Sequence, residues 1–231
     1  MDDLLSKEKE FEEKALLILY FGIGLIEVVA EYFEETSILY LLKPMLMPIM
    51  MFMYWRVSEV KSKLFLTALF FVFIANILFV SRSFNSAVIA SLFFFVYRSI
   101  VIYIALKNDP VKKILPILLG SLPFLTAFSY LTFLTKDQLG KGMIVYLFQV
   151  FFLSFLGGLA LSNYMMQETK KSFWLLINAS FFAIIQFILV LKICYVSTPL
   201  FQPISMCLYL VAQFALYRYV LIQERKNKRL F

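Results

Sequence analysis

Charged and strongly polar residues punctuate the chain at nearly regular intervals. They leave eight apolar stretches, at about 15–32, 37–55, 63–82, 85–106, 113–134, 142–167, 172–192 and 200–222. A helix rises 1.5 Å per residue, so about 20 mainly apolar residues cross the ~30 Å hydrocarbon core of a bilayer. The interruptions are short: Glu31 to Glu35, Arg56 to Lys63, Arg82 to Asn85, Lys107 to Lys113, Lys136 to Gly142, Glu168 to Lys171 and Val196 to Pro199. The pattern predicts an all-α polytopic membrane protein, a bundle of eight transmembrane helices over 15–222. A polar lead-in (1–14) and a basic tail (223–231) flank it, and loops this short leave no room for a soluble domain. The lead-in is acidic and polar, unlike a signal peptide.

Composition sharpens this picture. Of 231 residues 62% are hydrophobic and 16% charged, against about 25% charged in a soluble domain. A soluble enzyme, a disordered tail and a DNA-binding module are excluded as first readings. No histidine occurs, which removes Ser-His and Cys-His catalysis, His-ligated haem and most zinc sites. Cys194 and Cys207 have no partner pair for a metal cluster or redox motif and read as free core thiols, so no cofactor or metal is expected. The net charge of +7 points to membrane lipids as partners and not to nucleic acid, because basic loops facing anionic lipid account for it. With the N-terminus inside, the inner segments hold fifteen Lys and Arg and the outer ones four, Arg82, Lys136, Lys141 and Lys192. The positive-inside rule then predicts both termini in the cytoplasm of a multi-pass protein, in the inner membrane if the source is bacterial. The sequence carries no sign of oligomeric state.

Lys43, Arg98 and Arg218 are the basic residues left within the spans. Arg218 lies near a helix end and can snorkel. A cation at the helix centre costs about 2.5–3.5 kcal/mol on insertion scales, so Lys43 and Arg98 are expected to face the bundle interior or a wet cavity. Counting rise from the span ends puts Glu27, Lys43, Asn76, Gln149 and Gln186 in an outer polar layer, and Arg98, Asn163, Asn178 and Gln213 in an inner one. Glu27 and Lys43, on adjacent antiparallel helices, are expected to pair. That pair serves either as a lock between two helices or as part of a cavity that receives a lipid headgroup. Pro44 and Pro48 are four apart on one face, and both free backbone carbonyls near the lysine.

Lys43-Pro44-Met45-Leu46-Met47-Pro48 resembles the KPLLMP-type stretch on the second helix of the YhhN family, the lysoplasmalogenase-like membrane proteins. Tyr209-Leu210-Val211-Ala212-Gln213 is similar to that family's YxxAQ pattern on the last helix. Asn76, within Phe73 to Phe79, and Ser162-Asn163 stand where the family has aspartates, and the family's eight spans equal the number counted here. The resemblance implies a vinyl-ether hydrolase acting on a lysophospholipid, with Lys43 on the phosphate and Arg98 as a second cationic contact. Asn76, Asn163, Tyr209 and Gln213 would line a polar cavity. Such hydrolysis protonates the vinyl carbon before water attacks the oxocarbenium ion. A carboxylic acid can deliver that proton and an amide cannot. The family's catalytic aspartates being Asn76 and Asn163, the expectation is a protein that keeps the lipid cavity with vinyl-ether hydrolysis weak or absent. Two alternatives stay open: an active hydrolase using Glu27 as a relocated acid, and a small transporter or channel. Against the latter, no inverted repeat is visible.

Overall fold

The polar interruptions are where the chain turns. A computed structural model describes residues 2–81, 83–108, 114–195 and 198–228; Arg82, Lys112, Lys113 and Arg229, which entered the loop-charge comparison, lie outside the described residues. Within them the structure is all-helical: α1 (Asp2–Tyr32), α2 (Thr36–Val57), α3 (Lys63–Val80), α4 (Phe84–Asn108), α5 (Ile114–Thr135), α6 (Met143–Gln167), α7 (Lys170–Cys194) and α8 (Phe201–Lys228). All eight are long and apolar enough to cross a membrane. The acidic lead-in is helical and continuous with α1. Between α6 and α7 the reversal takes two residues. Glu168 adopts a left-handed φ of 43°, and Thr169 then caps α7 through a reciprocal pair of bonds with Ser172.

Neighbouring helices close a ring in the order α1, α2, α3, α4, α6, α7, α8 and back to α1, with α5 packed outside it against α6. A ring of seven cannot alternate direction all the way round, and one seam must run parallel. It is α4 with α6: Gln149 donates to the Ser91 carbonyl and Phe95 meets Phe152 edge to face at 4.5 Å, so residue numbers rise together. Between α1 and α8 they run oppositely, Glu13 meeting Tyr217 while Tyr20 donates to the Leu210 carbonyl.

Small residues let α5 dock. A Cβ on Gly120 would lie 2.7 Å from the Gly158 carbonyl oxygen, and one on Gly158 would collide with the Ser121 hydroxyl and approach the Ile117 carbonyl to 2.7 Å. Helix association in lipid draws on this kind of close backbone packing, because hydrocarbon offers no hydrophobic gain between helices. The same reasoning explains the outer surface. Ile18, Leu41, Leu92, Leu118 and Phe151 are exposed, which in water would mark an interaction patch and here faces acyl chains. The ring interior is filled by Met47, Met50, Met53, Tyr54, Tyr97 and Tyr217, each almost fully buried.

One end of the ring is tied shut by polar side chains. Arg56 pairs with Glu12, Arg218 Nη1 lies 3.4 Å from Glu13, and Lys171 Nζ donates to Gln223 at 2.9 Å. Glu224 accepts from the Tyr54 hydroxyl and, at 2.6 Å, from Ser58. This is the end where α1 begins and α8 finishes.

Candidate functional site

At the opposite end the ring encloses a cavity of about 840 Å³, counting its mouth. Six helices contribute to its wall. Polar groups come from Lys43 (α2), Asn76 (α3), Ser91 and Arg98 (α4), Gln149 (α6), Gln186 and Lys192 (α7), and Gln202 and Tyr209 (α8). Phe79, Phe94, Phe182, Ile185, Leu189 and Met206 supply apolar wall. Among the described residues that line it there is no aspartate or glutamate. The cavity is therefore a mixed chamber, greasy along one part and carrying basic side chains at three points.

Arg98 dominates its chemistry. The residue is 4% exposed. Its guanidinium donates through Nη1 to Gln149 Oε1 and through Nη2 to Gln186 Oε1 at 3.5 Å, while Nε finds no partner. It also lies 5.8 Å from the centre of the Phe182 ring. Amides orient the guanidinium without cancelling its charge, and no carboxylate lies within ion-pair reach among the described residues. A buried cation is costly unless paired. Lys192 Nζ donates to Gln202 Oε1 at 2.8 Å across the α7–α8 seam.

Lys43 is held differently. Its Nζ lies 2.5 Å from Glu31 Oε1 and 3.8 Å from Glu27 Oε1. The two glutamates are four apart on α1 and so share one helix face. Both are buried, and the carboxylate oxygens of Glu27 accept no hydrogen bond. Asn76 Nδ2 donates to the Tyr209 hydroxyl at 2.8 Å, which points on to Met47 Sδ at 3.6 Å. Pro44 and Pro48 sit inside an unbroken α2.

Of the residues singled out from the sequence, Lys43, Asn76, Arg98 and Tyr209 come together in this wall. Glu27 stands behind Lys43, off the lining. Gln213 forms a second polar cluster, with Tyr97 donating to its Oε1 at 3.4 Å and Asn178 donating to the neighbouring Ala212 carbonyl at 2.8 Å. Asn163 is partly buried near the end of α6, its Nδ2 unpartnered, and takes no part in the cavity. Asn76 and Asn163 thus do not share this chamber.

One expectation is corrected, and another, the pairing of Lys43 with Glu27, holds with an addition. Arg98 does not belong to an inner layer with Asn163, Asn178 and Gln213, since its guanidinium meets Gln149 and Gln186 of the outer one. Side chains lean toward a helix N-terminus, and α4 begins at the cavity end, which carries the charge several ångström above its Cα. Lys43 pairs first with Glu31, read from the sequence as a span edge, and only then with Glu27. Lys192 was missed as a loop charge. Its signal was periodicity, because Phe182, Ile185, Gln186, Leu189 and Lys192 form one helical face.

The sequence model of the YhhN family matches residues 38–220, from α2 almost to the end of α8. The chain belongs to the YhhN family. The matched region contains every residue that lines the cavity, and α1, with Glu27 and Glu31, lies before it. Comparison with curated proteins and with solved structures gives no match. For a YhhN protein the chamber places an amide, Asn76, where the resemblance expects an aspartate, hydrogen-bonded to the tyrosine of the YxxAQ pattern.

Proposed function

We propose that this YhhN-family protein holds a lysophospholipid in the cavity, phosphate toward Arg98 and Lys43 and acyl chain along the Phe and Ile wall, without cleaving a vinyl ether. The observation that carries the reading is Arg98, a buried guanidinium with an unpartnered Nε and no counter-carboxylate. A phosphate oxygen supplies both the missing charge and the missing acceptor. The lack of hydrolysis follows from the lining. Protonating a vinyl carbon needs a positioned acid, and the wall offers amides, hydroxyls and cations.

The test uses purified protein in detergent with lysoplasmenylethanolamine. Bound lipid seen by native mass spectrometry, lost in Arg98→Gln, with no fatty aldehyde released, is the expected result. Robust aldehyde release refutes the non-hydrolytic part. If Glu27→Gln then abolished that release in a folded protein, Glu27 would be the relocated acid; its buried carboxylate, free of hydrogen bonds, is what favours this second reading.

A further inference from the structure

We propose that Asn76 is a specificity-determining residue, its side-chain oxygen accepting a hydrogen bond from a free hydroxyl on the glycerol backbone of the bound lipid. This rests on the lysophospholipid reading above and adds the ligand group that Asn76 recognises.

Among the described residues, four carboxamides line the chamber, those of Asn76, Gln149, Gln186 and Gln202. Cations already engage three of their oxygens. Gln149 Oε1 accepts from Arg98 Nη1, Gln186 Oε1 from Arg98 Nη2 at 3.5 Å, and Gln202 Oε1 from Lys192 Nζ at 2.8 Å. The fourth, Asn76 Oδ1, accepts no hydrogen bond and is not sealed within the protein, so it opens on the chamber. Its neighbour fixes which way the amide faces. The Tyr209 hydroxyl points its proton at Met47 Sδ, 3.6 Å away, and is left to accept from Asn76 Nδ2 at 2.8 Å. The planar carboxamide then turns its oxygen away from Tyr209. An oxygen of this kind takes only a donor, and the phosphate, ester and ether oxygens of a lipid are all acceptors. Tyr209 meets Phe182 edge to face at 6.2 Å, and Phe182 lies 5.8 Å from the Arg98 guanidinium. Asn76 therefore stands where the phosphate end of the chamber passes into its Phe wall. In a lysophospholipid the glycerol occupies that junction, and its free hydroxyl is the donor there. An amide binds it without a negative charge that would compete with the phosphate for Arg98, which gives Asn76 a physical use where the resemblance expects an aspartate. A ligand lacking the hydroxyl leaves the oxygen desolvated and unpaired, the circumstance in which a polar site discriminates most strongly.

Purified protein in nonionic detergent is titrated with oleoyl lysophosphatidylethanolamine and with its 2-deoxy analogue, which keeps the chain, the phosphate and the ammonium and lacks only the hydroxyl. Affinity is read by native mass spectrometry and thermal shift. The parent protein should bind the 2-deoxy lipid about tenfold more weakly, because an acceptor is left unpaired. In Asn76→Leu the two lipids should bind alike, at the level of the 2-deoxy lipid. Should Asn76→Leu fail to fold, Tyr209→Phe, which frees the amide to turn, should reduce the preference severalfold. Arg98→Gln should lose both lipids together, which separates the phosphate contact from the hydroxyl contact. Equal binding of the two lipids by the parent protein overturns the hydroxyl contact and leaves the lysophospholipid site standing. Binding of neither overturns that site and this proposal with it. A preference unchanged in Asn76→Leu, or in Tyr209→Phe where only that variant folds, gives the hydroxyl to another group and overturns the proposal.

Discussion

Replacing Lys43 with methionine removes the cation that stands before two carboxylates. Glu27 and Glu31 lie one turn apart on α1, both buried, with Lys43 Nζ 3.8 Å and 2.5 Å from them. At an effective dielectric near 20, the gross attractions at those separations are about 4 and 7 kcal/mol. Most of that is offset by the cost of taking the ions out of water. What survives on breaking such a cluster by removing one partner is about 3–5 kcal/mol. Lys43→Met should therefore lower the unfolding temperature by roughly 6–20 °C, at about 2–4 °C per kcal/mol for a chain this size. The acids should not be equivalent. Glu31→Gln loses a charged hydrogen bond worth about 1.5–3 kcal/mol but leaves Lys43 with Glu27. Glu27→Gln removes the surplus acid, whose oxygens accept no hydrogen bond, and should stay within about 1 kcal/mol of the parent, the common scale of a single change. Thermal unfolding in detergent, followed by intrinsic fluorescence and size-exclusion, ranks the three. The reasoning fails if Glu27→Gln costs as much as Lys43→Met, or if Lys43→Met is silent.

Other consequences can be checked in the same preparation. Gly158→Leu should detach α5 and destabilise by more than about 3 kcal/mol, the scale of the large effects of overpacking. Gly22→Ala, where an added Cβ meets nothing within 4 Å, should be neutral or stabilise by about 0.5–1 kcal/mol; equal effects at the two glycines would contradict the packing argument. Tyr54→Phe should loosen the tied end by about 1–3 kcal/mol, by withdrawing a charge-assisted bond to Glu224 and the acceptor of the Ser62 amide, and faster amide exchange at the end of α2, the start of α3 and the end of α8 is the signature. The loop-charge bias predicts cytoplasmic termini: expressed in a bacterial host, a fluorescent fusion after residue 231 should glow, and an alkaline phosphatase fusion after Asp137 should be active. The opposite pattern would invert the topology.

Eight spans were legible because each apolar run ends in charges, a signal that acts locally and needs no knowledge of neighbours. The KPMLMP stretch was legible for the same reason, since a lysine followed by two prolines inside an apolar run is unusual wherever it occurs. What the sequence left hidden concerns direction around each helix axis. Rise along the helices sets Asn76 and Asn163 at different depths, but it does not show that Asn76 turns toward the chamber and Asn163 away from it. Charge marks a boundary without marking its side, and Glu31 and Lys192 lie in the terminal turns of α1 and α7 and not in the loops beyond them. The place of α5 outside the ring, docked through Gly120, Ser121 and Gly158, was not read from the sequence. Small residues mark a close contact without saying which side of the bundle receives it.

The ring is completed by contact between its first helix and its last. During synthesis α8 emerges after every other helix, so α1 spends most of biogenesis with one flank unclosed to the lipid. That flank lies beside the face bearing Glu27 and Glu31, and the lysine that partly neutralises them arrives within the next helix, only twelve residues after Glu31. The N-terminal hairpin is thus built to enter the bilayer as a pair, and a chain stalled between α1 and α2 would strand two acids that the membrane resists taking up.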